Sequence, residues 1–331
     1  MKQALQALIS GRDLTPDEAT GAFEQLMNGE ADLIQAAGLL VGLQVKGITS
    51  DELAAAAASM RRHVVPIDIG DVAGVVDTCG TGGTGSGTFN VSTAAALVAA
   101  ACGVRVVKHG NRAATSQSGS ADVLEKLGVS LDADPRQQLD ASGIAFAYAR
   151  NHHPAMRHVA PVRRALLVPT VFNILGPLTS PAGVKRQLLG VYSPHMTEII
   201  AGALLRLGSE RAWALHSEDG QDDLSCAVPT RISEVKNGEV FTWTFDPAPY
   251  GLVGGTADLQ APSPAASAEL IRKVFAGEEE GPARDAIALY ASAAAILAGG
   301  AEDTGDALDV ATGSIASGRA AETLEKLAAV R

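Results

Sequence analysis

Over the first 68 residues apolar positions recur at helical spacing, and no strand-like alternation interrupts them. Leu33, Ala36, Ala37, Leu40 and Val41 form an i, i+3, i+4 stripe. Thr15-Pro16-Asp17-Glu18 and Thr49-Ser50-Asp51-Glu52 read as capping boxes, in which a Thr hydroxyl and a Glu carboxylate each satisfy a free backbone N–H at a helix start. Pro16 adds the preferred residue for a first helical position. Near Val75 the pattern changes. Val75-Val76-Asp77, Val104–Val107 and Ile144–Tyr148 read as short strands, separated by helical runs at Val91–Ala101, Ser120–Leu127 and from Asp134-Pro135. The alternation resumes with a strand at Gln187–Tyr192, a helix at Met196–Leu207 and a strand at Arg211–Leu215. Asn237-Gly238 marks a hairpin, and the chain reads as helical beyond residue 265. Strands alternating with helices predict a mainly parallel sheet. The fold class is therefore α/β, with a small all-helical unit ahead of a larger α/β unit.

At 331 residues the chain is long enough for about two domains. The expected division is a helical domain over 1–70, rejoined around 165–185 where prolines and Gly176 sit, and an α/β domain over 71–331. Net charge is −11 and aromatics make up 4%. That balance argues against nucleic acid as a partner, since neither phosphate attraction nor base stacking is provided for. Cys79, Cys102 and Cys226 fit no disulfide framework or metal pair, which suits a reducing cytoplasm. The N-terminus lacks a signal-peptide pattern. The charge-free run Ala286–Ala301 falls short of the roughly 18–20 residues that span a membrane, so it reads as a buried core helix.

The candidate chemistry begins at Gly80-Thr81-Gly82-Gly83-Thr84-Gly85-Ser86-Gly87, five glycines in eight residues between a strand and a helix. Bare backbone can approach a ligand closely there, and the following helix start favours an anion. Gly80, Gly82 and Gly85 also satisfy a dinucleotide fingerprint, but that reading wants an acid about 20 residues on to hold a ribose. The sequence offers Lys108-His109 instead. A phosphate-loop ATPase fails for want of Gly-Lys-Ser/Thr. Lys108-His109-Gly110-Asn111-Arg112 follows a strand, and Thr115 to Ser120 add hydroxyls before a helix. Two such loops on adjacent strands suit a phosphorylated sugar. Taken alone, Glu218, Asp219, Asp222 and Asp223 read as a solvated acidic loop, and Pro154 interrupts any metal site among His152, His153 and His158.

GTGGTGSGTFNVSTAAA, KHGNRAATSQSGSADVLEKLGV, HPAMRHVAPVRR and FNILGPLTSPA together resemble the signatures of the anthranilate phosphoribosyltransferase family, in order and spacing. The resemblance covers nearly the whole chain. It implies a helical domain plus an α/β domain of nucleoside-phosphorylase type, Mg²⁺ as cofactor, a homodimer through the helical domain, and transfer of the phosphoribosyl group of phosphoribosyl pyrophosphate (PRPP) to anthranilate. By match to the family's motifs, Gly80, Gly83, Thr84, Thr88, Asn90, Val91, Ser92 and Thr93 fall on the PRPP site. So do Lys108, His109, Gly110, Asn111, Arg112, Ala113, Ala114, Thr115, Ser116 and Ser120. Gly80, Asn111, His153 and Arg163 fall on anthranilate contacts, and Ser92, Asp222 and Asp223 on magnesium ligands. Lys108 is expected to stabilise departing pyrophosphate, His109 to accept the amine's proton, and Arg163 to hold the carboxylate of anthranilate. Three departures stand out. Thr84 replaces the usual Asp, Asp223 the usual Glu, and Leu167-Val168-Pro169-Thr170 the usual Gly-Ile-Arg-Thr. The last is expected to stiffen the chain there and make it less basic.

Overall fold

The computed structural model describes residues 1–113 and 118–331. Four helices come first: α1 (Lys2–Ile9), α2 (Pro16–Met27), α3 (Leu33–Lys46) and α4 (Ser50–Arg62). Both capping boxes form. In the second, Glu52 is fully buried and also accepts from the Leu14 N–H at 2.8 Å and Lys46 Nζ at 2.9 Å, so one carboxylate ties three segments together.

The α/β unit runs β1 (Val76–Gly80), α5 (Val91–Ala101), β2 (Val106–Gly110), α6 (Ser120–Lys126), α7 (Pro135–Ser142), β3 (Ile144–Tyr148), α8 (Ala149–His152), α9 (Met156–Leu166), α10 (Phe172–Leu175), β4 (Arg186–Gly190), α11 (Met196–Arg206), β5 (Arg211–Ser217), β6 (Thr230–Lys236), β7 (Glu239–Phe245), α12 (Pro264–Phe275), α13 (Pro282–Ala298), α14 (Thr304–Ala316) and α15 (Arg319–Ala329). The seven strands form one sheet in the order β3-β2-β1-β4-β5-β6-β7. Its first five members are parallel, and β6 and β7 close it as an antiparallel hairpin. Asn237 and Gly238 both adopt positive φ at that turn, as a tight hairpin requires.

Strand alternation sorts the core. Val76, Val106, Leu188 and Trp213 face a layer containing α5, α12 and α13, whereas Cys79, Leu189 and Ala212 pack with the first four helices and α11. Val159 and Val162 of α9 join the second cluster with Val171, Phe172 and Leu175, and α9 packs on α2 and α3. Three strands run beyond their expected ends, and β4 stops at Gly190 instead of Tyr192. β1 extends to Gly80 rather than Asp77, β2 to Gly110 rather than Val107, and β5 to Ser217 rather than Leu215. Polar residues at buried strand ends break the apolar pattern without breaking the ladder, so Lys108, His109 and Gly110 lie within β2 and not after it. Among the described residues no helix is long and apolar enough to cross a membrane.

Candidate active site

The adjacent strands β2, β1 and β4 all end in glycine, at Gly110, Gly80 and Gly190. A Cβ on Gly190 would stand 1.7 Å from the Asp222 carbonyl oxygen, and one on Gly110 2.2 Å from Ser120 Oγ. On Gly80 it would meet Asp222 Oδ2 at 3.2 Å. The floor of the site is therefore bare backbone, on which the acidic loop and the start of α6 rest. Gly190 lies inside the strand expected over Gln187–Tyr192, but its role shows only once Asp222 is seen against it.

Four of the five loop glycines, Gly82, Gly83, Gly85 and Gly87, have positive φ, where any other residue would be strained. The loop is tied on both sides. The Thr81 N–H donates to Gly190 O at 2.9 Å, and the Gln260 amide donates to Ser86 O at 2.9 Å. Thr88 bridges to Gln260, and its hydroxyl lies 3.1 Å from Ser86 Oγ. Asn90 does not cap α5 with its side chain. Its Oδ1 instead accepts from Ser118 Oγ at 2.7 Å and Ser267 Oγ at 3.2 Å, while Ser267 Oγ accepts the Asn90 N–H at 3.0 Å. With Val91 and Thr93 buried in its first turn, α5 keeps an end without a side-chain cap, and Thr93 Oγ1 has no partner among the described residues. Such an end attracts anions. Gln260 and Ser267 come from far along the chain and carry no local motif, so sequence reasoning missed them.

Lys108 and His109 are neighbours on β2 and point to opposite faces. Lys108 is buried with Val106, and its ammonium donates to the Thr78 carbonyl and to Ser92 Oγ at 3.2 Å. Burial lowers its pKa, opposed by Asp77, Cys79, Asp223 and Asp222. Asp77 is fully buried on β1. Its Oδ1 accepts the His109 N–H at 2.9 Å, Oδ2 has no partner among the described residues, and burial pushes its carboxyl up to about 7. On the other face His109 Nε2 meets His153 Nε2 at 3.1 Å. Burial, reinforced by neighbouring histidines, lowers His109 to about 3 and His153 to about 4. Both rings are thus neutral, one donating to the other.

That pair has a measurable consequence. A histidine whose folded pKa lies below its unfolded value of about 6.5 contributes stability above that pH and loses it as pH falls. The raised carboxyl of Asp77 acts with the opposite sign, so the histidine contribution is read by difference. The stability deficit of His153→Gln relative to the unsubstituted protein should shrink between pH 6.5 and 4.5, by at most about 1.4 kcal/mol per pH unit, in urea titrations. A constant deficit would contradict the assignment of a neutral pair.

The acidic loop after β5 divides in two. Asp219 Oδ2 accepts from Gln221 Nε2 at 2.8 Å and Ser225 Oγ at 2.9 Å, which makes Asp219 a brace of the loop. Asp222 turns toward the glycine floor; desolvation raises the carboxyls of both Asp222 and Asp223, and the adjacent Asp222 raises Asp223 further. Arg163 on α9 is half-buried with its guanidinium 5.7 Å from the centre of the Phe172 ring, and only desolvation shifts it. Arg112 differs: Asp122 at 2.9 Å and Glu125 at 3.0 Å already match its charge. Asn111 Oδ1 accepts the Arg112 N–H at 2.8 Å, Ser120 Oγ donates to Asn111 O at 3.4 Å, and the Ala113 N–H donates to Asp122 at 3.0 Å. Ala114, Thr115 and Ser116 lie outside the described residues. His152, for which sequence gives no role, has its Nδ1 3.0 Å from Val65 O.

Two family descriptions match the chain: "Glycosyl transferase family, helical bundle domain" over residues 2–64 and "Glycosyl transferase family, a/b domain" over 72–321. An anthranilate phosphoribosyltransferase of Rubrobacter xylanophilus is 45% identical over 100% of this chain and 97% of its own. The anthranilate phosphoribosyltransferase crystal structure from Thermus thermophilus matches with a TM-score of 0.91 at 44% identity, covering 98% of both chains. The chain belongs to the anthranilate phosphoribosyltransferase family. A more distant member, the Saccharomyces cerevisiae anthranilate phosphoribosyltransferase in complex with PRPP and Mg, matches with a TM-score of 0.89 at 26% identity over 98% of this chain and 96% of its own.

Against the usual pattern of anthranilate phosphoribosyltransferases, Thr84 places its hydroxyl 3.4 Å from Asp222 Oδ1. An Asp there would set a second carboxylate against Asp222, whereas Thr84 donates to it. Leu167 has a left-handed backbone with φ of 55° and a side chain 87% exposed. The family's Gly at this place now has a physical reason. The segment is strained at Leu167, a feature the expectation of added stiffness left out.

Proposed function

We propose that this chain transfers the phosphoribosyl group of PRPP to the amine of anthranilate, giving N-(5-phosphoribosyl)anthranilate and pyrophosphate, as in tryptophan biosynthesis. The observation that carries this reading is the split of β2. Lys108, the uncapped end of α5 and the acidic pair serve one face, while His109 meets His153 on the other, and Arg163 stands on α9, which begins three residues after His153. An anionic leaving group suits the first set. A carboxylate-bearing aromatic amine suits the second, since a guanidinium fork matches a carboxylate.

Mg²⁺ fits the residues present. Asp222 and Asp223 are half-buried neighbouring acids whose charge would call for a cation. Asp222 and Asp223 would hold the ion, and magnesium's preference for keeping several waters suits a site with only two protein carboxylates. The ion supplies neutralisation of charge on the departing pyrophosphate. Ser92 Oγ lies beside the Lys108 ammonium and faces the same ligand. Lys108 and the loop N–H groups orient the diphosphate and stabilise its departure. Arg163 places the amine, and positioning counts for more than base strength here. His109 and His153 are weak bases, sufficient for the strongly acidic ammonium formed as the new C–N bond closes.

We place the domain boundary near residue 70, with 165–185 rejoining the helical domain. Ile9, Ile34 and Val45 are more than 80% exposed on α1 and α3, and a second copy covers them in the homodimer we infer. Three free cysteines, two of them buried, accord with a cytoplasmic site.

Loss of anthranilate fluorescence on mixing with PRPP and Mg²⁺ tests the activity directly; folded protein that leaves the fluorescence unchanged sinks it. In the same assay Arg163→Ala should raise the anthranilate KM at least about 10-fold, the value of one charge-assisted hydrogen bond. The PRPP KM should stay within about two-fold. An unchanged anthranilate KM would remove Arg163 from the site.

A further inference from the structure

Ser267, in the first turn of α12, is fully buried, and its hydroxyl reaches a residue 177 positions away. It accepts the Asn90 N–H at 3.0 Å and donates to Asn90 Oδ1 at 3.2 Å. A serine inside a helix commonly bonds back to a carbonyl one turn earlier, and one at a helix start commonly caps it. Ser267 does neither: Ser263 caps α12, accepting the Ala266 N–H at 3.1 Å. Asn90 is held from the other side as well. Ser118 Oγ donates to its Oδ1 at 2.7 Å, and its Nδ2 donates to Ser118 O at 3.3 Å. The Asn90 amide thus joins the end of the glycine loop to the loop between β2 and α6. α12 serves both loops. The stretch leading into it lines the glycine loop, with the Phe89 N–H donating to Leu259 O at 2.7 Å and the Ala261 N–H to Gly87 O at 3.0 Å. Its helix packs on α6, where Arg272 donates to Lys126 O at 2.6 Å.

We propose that Ser267 is a positioning residue for the donor site: through Asn90 it locks the glycine loop to the loop after β2, so that both meet PRPP as one surface. This rests on the reading that these loops hold PRPP. Asn90 then acts chiefly by joining the loops, since the acceptor capacity of its Oδ1 is already taken up by Ser118 and Ser267. Without Ser267 the carboxamide is free to rotate, and rotation breaks its contacts with Ser118 as well. Loops that must order on binding lose affinity to that ordering. The loss therefore falls on PRPP and not on the amine, whose side of β2 is untouched.

Hydrogen exchange on the full-length, ligand-free protein and steady-state assays with PRPP, anthranilate and Mg²⁺ test this together. Ser267→Ala should speed exchange over Phe89–Val91 and over Gly119–Asp122 by about 10-fold each, the value of the hydrogen bonds that hold Asn90. It should raise the PRPP KM by about 10-fold and leave the anthranilate KM within about two-fold. Ser118→Ala breaks the same chain of bonds at its other end, and carries the same expectations should Ser267→Ala not fold. Where both fold, their effects should not add in the double variant. Faster exchange confined to Phe89–Val91 overturns the proposal, because Ser267 then serves only its immediate neighbour. So does a PRPP KM within about two-fold of the unsubstituted value, a parallel rise in both KM values, or additive effects of the two substitutions. If the unsubstituted protein turns over neither substrate, the functional reading falls, and the exchange measurement alone decides whether Ser267 joins the loops.

Discussion

Replacing Lys108 by Met should lower kcat/KM for PRPP by about 10³-fold, roughly 4 kcal/mol of transition-state stabilisation. Lys108 is 2% exposed and its ammonium touches the Thr78 carbonyl and Ser92 Oγ, so water has little room to replace it. Asp77, Asp222 and Asp223 all act on Lys108. Without it, their charge and that of departing pyrophosphate lose their common counter-charge. The anthranilate KM should move by less than about three-fold, because the other face of β2 is untouched. Lys108→Arg should not rescue activity, since a planar fork cannot occupy the place of a compact ammonium against the carbonyl. Steady-state assays varying each substrate in turn check all three statements. A fall confined to anthranilate would reverse the assignment of the two faces.

Gly190→Ala should be nearly as damaging without touching any polar group. The new methyl would lie 1.7 Å from the Asp222 carbonyl oxygen, and backbone cannot yield as a side chain does. Normal contact requires the acidic loop to retreat by well over 1 Å, and displacement of that size costs about 100-fold in rate. Overpacking adds about 1–3 kcal/mol of destabilisation. Gly80→Ala is the control: its methyl meets the tip of the Asp222 side chain at 3.2 Å, which a small rotation relieves. Paired melting curves should therefore show Gly190→Ala losing stability and Gly80→Ala melting close to the unsubstituted protein, with kcat/KM of Gly190→Ala down about 100-fold. An unaltered kcat/KM in Gly190→Ala would mean the acidic loop is not held where the structure places it.

The parts of the fold that local physics dictates are legible in the sequence. The capping boxes at Thr15 and Thr49, the α5 and β3 bounds and the Asn237-Gly238 turn all stand where side-chain chemistry or periodicity puts them. The strand ends at the site are not. Thr78, Lys108 and His109 interrupt the apolar run because the ligand end of a buried strand must carry polar groups, and periodicity reads that as a loop. Residues such as Lys108 and Asp222 announce themselves through motifs and family resemblance. Gln260 and Ser267, which brace the glycine loop and Asn90, are ordinary residues until the fold brings them there. Gly190 matters through the space around it and has no local signature.

The alternation along β2 also has a consequence for how such an enzyme can change. The groups serving the leaving diphosphate and those serving the incoming amine are set apart by one peptide unit, about 3.3 Å of strand rise. No hinge can open between them, so movement of the flanking helices alters access to the reaction centre but not the spacing of its two halves. The acceptor side can then drift toward other amines, through positions such as His153 or Arg163, while the donor side stays fixed. In this architecture the nucleophile is the interchangeable part and the activated sugar the constant one.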